Sequence, residues 1–268
     1  MVCSTQPKSR AKAARLVSWS GKALEGRTQG PKGMRDSHGP HGPQAKTAAA
    51  ASRQEFSRQR PTNEPAPTGV RPSYGLKDLI WLVGDRAGGG LLDLGPVSQA
   101  TLDFFFERGF RISVEDLLRE WMDFQAAREA AAAAQAGLAD RPAPSSSHAV
   151  AEAFLQSELQ YPAESMDAVF AWDIFDYATD ALAVRLAAQL FEMLRPGGCV
   201  LAIFHARAPE IFHRYRIAAG GIELRAAPAP ARCTRVFQNR EILQLFGQFR
   251  SAKTYVGRDQ IREGLFVK

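Results

Sequence analysis

The chain has 268 residues, 34 Lys+Arg against 28 Asp+Glu and a formal net charge of +6. With 45% hydrophobic and 23% charged residues it is composed as a globular protein, which excludes wholesale disorder and collagen-like repeats. Cys3, Cys199 and Cys233 are too few and too scattered for a disulfide framework or a metal-ligand spacing, and no apolar run approaches the roughly 18 residues of a membrane span. A cytoplasmic, reducing environment is the expectation.

The charge is concentrated at one end. Residues 1–72 carry 13 Lys+Arg and four acids, a net of +9, and residues 73–268 carry 21 basic and 24 acidic side chains, a net of −3. The first segment is poor in large apolar residues and rich in Gly, Pro, Ser, Gln and Ala, so it cannot bury enough surface to offset its ordering entropy. Residues 1–72 are therefore expected to be a disordered basic tail, and residues 73–268 one α/β domain. His38 and His41, in a doubled His-Gly-Pro, lack the further ligands and supporting hydrogen bonds of a metal site. Three readings of the tail stay open: a mitochondrial transit peptide, a later start at Met34, or salt-sensitive attraction to polyanions. No aromatic interleaving or RNA-binding motif points to a specific nucleic-acid partner.

From Tyr74 the pattern becomes that of a folded domain. Leu76–Val83 is spaced for a short helix ending at Gly84, and Leu91–Gly95 reads as a short buried strand. Ser98 is expected to cap a helix from Gln99 to Arg108, and Phe110–Val114 alternates as a strand. A long helix follows from Leu117 through the alanine tract to about Ala136, then a loop over residues 138–148. Ala149–Gln160 is helix or strand, and Asp167–Asp173 a buried strand with an acid at its end. Asp180 is expected to cap a helix to Leu194, with Pro196-Gly-Gly198 breaking it before a strand from Cys199 to Phe204 that ends at His205. Arg214–Ala218 and Ile222–Ala226 read as a hairpin, Asn239 as the cap of a helix to Phe246, and Ala252–Val256 and Leu265–Lys268 as two final strands. Alternating strands and helices with a terminal hairpin predict an α/β, Rossmann-like open sheet with helices on both faces.

Ligands of such sheets bind beyond the C-terminal ends of the strands. Asp93 and Gly95, Glu115 and Asp116, Asp173, and His205 stand at those ends. An acid after the second of these strands suits two ribose hydroxyls. The alternative fingerprints fail: read from Gly95, the GxGxxG frame meets Val97 and Ala100, and there is neither a GxxxxGK[ST] loop nor a GxSxG elbow.

Leu91-Leu-Asp93-Leu-Gly95, Val114-Glu-Asp116, the stretch Tyr161 to Tyr177 and Leu194-Arg-Pro-Gly-Gly198 occur in order across residues 89–205. In these four segments the sequence resembles the class I S-adenosylmethionine-dependent methyltransferases. The resemblance implies that family's fold and its cofactor, S-adenosylmethionine. It sets Asp93 and Gly95 beside the methionine end of the cofactor, with the helix starting near Ser98 facing its carboxylate. It gives the ribose hydroxyls to Glu115, with Asp116 as the alternative, and puts Asp173 beside the transferring methyl. Where the acceptor must lose a proton, His205, Asp176 or Tyr177 are the candidate bases. The loop departs from the family's Gly-x-Gly-x-Gly: Gly95 is followed by Pro96-Val97-Ser98, and proline and valine resist the usual backbone path. The family's third-strand acid has no counterpart; its position falls near Leu155.

Two functions follow: methyl transfer to a small-molecule acceptor, or a methyltransferase-like fold that serves as a binding or interaction module.

Overall fold

The computed structural model describes residues 67–86, 88–135, 145–257 and 259–268. The expectations for residues 1–66 lie outside these. Among the described residues the order is β1 (Pro67–Arg71), α1 (Tyr74–Val83), β2 (Gly90–Asp93), α2 (Gln99–Phe106), β3 (Arg111–Val114), α3 (Leu117–Ala134) and α4 (Ser147–Glu158). Then come β4 (Met166–Trp172), α5 (Ile174–Tyr177), α6 (Asp180–Met193), β5 (Leu194–His205), β6 (Phe212–Ala218), β7 (Gly221–Ala227), α7 (Asn239–Leu245), β8 (Ser251–Val256) and β9 (Ile261–Val267).

The main sheet has six strands in the order β3-β2-β4-β5-β9-β8. The first four run parallel, and β9 runs antiparallel to both β5 and β8. This is the open α/β sheet with a C-terminal antiparallel hairpin that the strand and helix pattern predicts. Its strands are near-continuous apolar runs because both faces are covered. The pleat divides them: Val169, Ala171, Val200, Ala202 and Phe204 enter the layer under α3–α7, while Ala168, Phe170, Trp172, Cys199, Leu201 and Ile203 enter the layer under α1, α2 and a second sheet.

That second sheet, β1-β7-β6, is antiparallel. Its β6 is tied to α2, where the Ile217 N–H donates to Thr101 Oγ1 at 3.0 Å. Strand β1 was expected to belong to the tail. It joins the domain because Arg71 pairs with Ile222 of β7 and its guanidinium engages Glu263, a carboxylate only 1% exposed. Ser73 Oγ also donates to Glu263 at 2.7 Å while accepting the Leu76 N–H as the cap of α1. The domain thus includes residues 67–72, upstream of the expected boundary.

Other corrections are local. Thr179, not Asp180, caps α6 by accepting the Leu182 N–H. Gln238 precedes α7 in a reciprocal capping box with Glu241. Strand β5 begins at Leu194 because the Gly197 and Gly198 backbone groups pair with Lys268 instead of turning freely. Residues 147 and 148, read as loop, open α4, whose Val150, Ala151, Phe154 and Leu155 form one apolar stripe packed beside Trp121. No strand therefore occupies the region of Leu155. No helix among the described residues is long and apolar enough to cross a membrane.

Candidate active site

The parallel strands deliver their C-terminal ends to one edge, and a cleft opens there. It is lined by Leu94, Gly95 and Pro96 after β2, Asp116 after β3, and Trp172, Asp173 and Ile174 after β4. Phe212, His213 and Tyr215 of β6, with Pro228 and Pro230, form its cover. Of the expected site residues, Gly95, Asp116 and Asp173 meet in this cleft.

Asp173 is 4% exposed and starts α5, yet its side chain makes no capping bond to that helix. Its Oδ2 instead accepts the Tyr215 hydroxyl at 3.2 Å. Burial pushes its carboxyl up to about 7, and the nearby His205 only partly opposes this. Asp116 likewise makes no side-chain cap to α3, and burial raises its carboxyl above the ordinary range.

Trp172 shapes the floor. Between Phe170 and Trp172 the pairing of β4 with β5 shifts register, and Trp172 has φ of +39°, a region costly for a residue with a large side chain. The bulge stacks its indole between Phe170, at 5.1 Å, and Tyr215, at 5.6 Å and 7° between planes. It also aims the indole N–H at Asp93 Oδ1, 2.5 Å away. The same Asp93 oxygen accepts the Gly95 N–H at 3.0 Å. Asp93, expected beside the cofactor, is instead buried beneath Trp172 and absent from the cleft lining, holding the loop above it. Burial raises its carboxyl to about 6 despite those two bonds. A Cβ at Gly95 would lie 2.7 Å from the indole, so only glycine admits the Trp172 ring here.

Glu115 and Ser98 are also outside the cleft lining. Glu115 accepts the Tyr161 hydroxyl at 3.0 Å, and Ser98 Oγ faces the Thr101 N–H as the cap of α2. Tyr177 is buried edge-on against Phe212 and lines neither this cleft nor the next one described.

Behind the floor runs a chain of polar groups. Asp176, fully buried on α5, accepts the His205 backbone N–H at 2.7 Å and faces His205 Nδ1 at 2.8 Å through the same oxygen. A carboxylate in that position orients a protonated Nδ1 and leaves Nε2 toward Tyr215, whose hydroxyl is 3.4 Å away. The sequence Asp176–His205–Tyr215–Asp173 is thus continuous from α5 to the cleft. Burial alone would lower His205, but the bond from Asp176 and the charges of Asp173 and Asp176 hold it above the ordinary histidine value. Asp176 Oδ1 is buried without a partner among the described residues.

A second cleft, of about 450 Å³, adjoins the first. His205 lines it, as do Val70, Arg207, Ile211, Leu224 and Ile261, and His213 borders both clefts. Sequence reasoning missed Tyr215, His213 and Trp172 as walls of the site. The alternation of β6 does turn Tyr215 and Ile217 inward together, but nothing local to the hairpin tells which strand end it will cover.

No protein-family model and no curated protein sequence matches the chain. Solved structures do resemble it. One is a 1,6-didemethyltoxoflavin-N1-methyltransferase from Burkholderia thailandensis, with 1,6-didemethyltoxoflavin and S-adenosylhomocysteine bound; it is 15% identical over 72% of this chain and 76% of its own, with a TM-score of 0.40. Another is a glycopeptide N-methyltransferase complexed with S-adenosylmethionine, 15% identical over 79% of this chain and 99% of its own, TM-score 0.37. A third is an S-adenosylmethionine-dependent methyltransferase from Mesorhizobium loti, 11% identical over 73% of this chain and 98% of its own, TM-score 0.36.

Proposed function

We propose that the chain transfers a methyl group from S-adenosylmethionine to a small-molecule acceptor, with the cleft at the ends of β2, β3 and β4 as the cofactor site. The observation that carries this reading is the convergence of Gly95, Asp116 and Asp173 on one cleft beside the stacked Trp172–Tyr215 pair. That donor set fits the cofactor. Asp116 can accept from vicinal ribose hydroxyls, in place of Glu115, which Tyr161 already engages. The Leu94–Pro96 backbone lies where the methionine end would run. The Asp173 carboxylate, when ionised, favours a sulfonium cation.

The bound cofactor would supply a methyl already made electrophilic by its sulfonium. The residues of this chain then have three tasks: to align the acceptor, to exclude water and to take up a proton where the acceptor releases one. The linked groups Asp173, Tyr215 and His205 offer that proton a path, and Asp176 holds the imidazole in position.

The second reading, a binding module without methyl transfer, has its own observation. The indole of Trp172 fills the space over Gly95, and the cleft has a cavity volume of only about 90 Å³. This is below the roughly 300–1,000 Å³ of ordinary ligand pockets, so a nucleoside must displace the β6 cover.

Calorimetric titration with S-adenosylmethionine and S-adenosylhomocysteine separates the two. The enzyme reading expects both to bind, and Asp116→Ala to weaken them about tenfold or more, as loss of a charged hydrogen bond does. Glu115→Ala should have little effect. Absence of binding to the wild type at high micromolar ligand leaves the binding-module reading.

A further inference from the structure

The second cleft meets the proposed cofactor cleft at His213, and its own composition is that of a ligand site. Its floor is apolar, from Leu224 and Ile261, and Val70 and Ile211 stand at its mouth 49% and 52% exposed. Two histidines stand on the side toward the first cleft, His205, whose Nδ1 is tied to Asp176, and His213, while Arg71, paired with Asp259, and Glu210 and Gln260 line it elsewhere. His213 adds an independent sign, because its Nδ1 is buried without a partner among the described residues and burial depresses its basicity. A buried ring nitrogen left unpaired costs free energy that a ligand hydroxyl could recover. Arg207, exposed, stands at the rim.

Resting on the methyl-transfer reading above, we propose that this second cleft is the acceptor chamber and that it takes a small molecule carrying a phenol-like hydroxyl on an apolar ring that meets Leu224 and Ile261, with His205 as the base and His213 as a hydrogen-bonding partner. The chamber lies between β1, β6, β7 and the ends of β5 and β9, so strand β1 and the second sheet are its specificity-determining walls. In the reaction the acceptor hydroxyl gives its proton to His205 Nε2. An electron pair of the acceptor oxygen forms the new bond to the methyl carbon of the sulfonium donor, and the carbon–sulfur pair stays with sulfur, which leaves as a neutral thioether. The Tyr215 hydroxyl, between His205 and Asp173, gives the proton a route onward.

The test uses para-nitrophenol, whose phenolate is coloured, and S-adenosylhomocysteine, each titrated into the whole chain. The wild type should bind the phenol saturably and shift its absorbance to that of the phenolate at a pH where the free phenol is mostly protonated. Ile211→Trp, a change at an exposed position, should weaken phenol binding at least tenfold and leave the calorimetric titration with S-adenosylhomocysteine unchanged. Leu224→Trp should do the same from the chamber floor. His205→Gln should bind the phenol without the phenolate signal. Saturable binding that ignores both tryptophans, or a phenolate signal that survives His205→Gln, overturns the proposal. Binding of the homocysteine derivative without the phenol also overturns it, while the cofactor reading stands. The converse result, phenol without the cofactor product, removes the cofactor reading and with it the acceptor role, leaving a phenol-binding cleft only.

Discussion

The indole N–H of Trp172 donates to the Asp93 carboxylate at 2.5 Å, joining the end of β4 to the end of β2 beneath the cleft. The bond joins a tryptophan at positive φ to Asp93, which lies beneath the cleft and outside its lining. Trp172→Phe keeps most of the stacking and removes the donor. It should destabilise the fold by about 1–3 kcal/mol, the cost of a buried acceptor losing its partner. Urea denaturation measures this, and a change below a few tenths of a kcal/mol would show that the bond does not hold the floor.

Asp93 and Asp173 both have carboxyls raised by burial, to about 6 and about 7. An unfolded aspartate titrates near 4, so between about pH 4 and 7 the native state holds more protons than the unfolded chain. Unfolding free energy should therefore fall as pH rises through this window, by on the order of 3 kcal/mol for each group. Asp93→Asn and Asp173→Asn should each flatten the slope and raise stability at pH 8. Equal slopes in wild type and variants would place the titration elsewhere.

Ionised Asp173 attracts a cation, and protonated Asp173 does not. The affinity for S-adenosylmethionine should rise between pH 6 and 8, and more than that for uncharged S-adenosylhomocysteine. Asp173→Asn should abolish the difference. Calorimetry at the two pH values with both ligands is the measurement.

Tyr215→Phe removes the hydroxyl between Asp173 and His205 while keeping the ring on Trp172. Cofactor-product affinity should change less than threefold. The para-nitrophenolate signal should shift in its pH midpoint, because Asp173 loses a hydrogen-bond donor and His205 Nε2 loses the hydroxyl facing it. A midpoint identical to wild type would make Tyr215 a packing residue only.

Arg71 lies within the segment expected to be a tail, and its guanidinium holds buried Glu263 and, at 2.6 Å, Asp259. Arg71→Leu leaves the buried Glu263 carboxylate without its cation, though still bonded by Ser73 and Gly75, and should cost about 3 kcal/mol by urea denaturation. Stability within 1 kcal/mol of wild type would mean β1 contributes little to the domain.

The strands and helices of the sheet were legible because their signals are local. Apolar runs at β4 and β5, the stripe of α6 and the caps at Ser98 and Ser73 act over a few residues. The positions of Gly95, Asp116 and Asp173 at the cleft were legible too, since a parallel strand delivers whatever follows it to that edge. What was not legible shares a cause. Asp93 and Glu115 stand at the expected strand ends, but Trp172 and Tyr161 engage them from far along the chain and they lie outside the cleft lining. Strand β1 has no apolar pattern of its own, and only pairing with β7 and the charge of Glu263 draw it in.

By itself, then, the sequence determined a mildly acidic α/β domain with acids at its strand ends, because hydrophobic periodicity and turn chemistry are short-range. Which acids line the cleft, which are engaged elsewhere in the fold, and that His205 reaches Asp173 through Tyr215 were decided only by the tertiary structure. Those outcomes depend on one bulge in β4 and on where the β6–β7 hairpin folds back, and neither is encoded within reach of a local pattern.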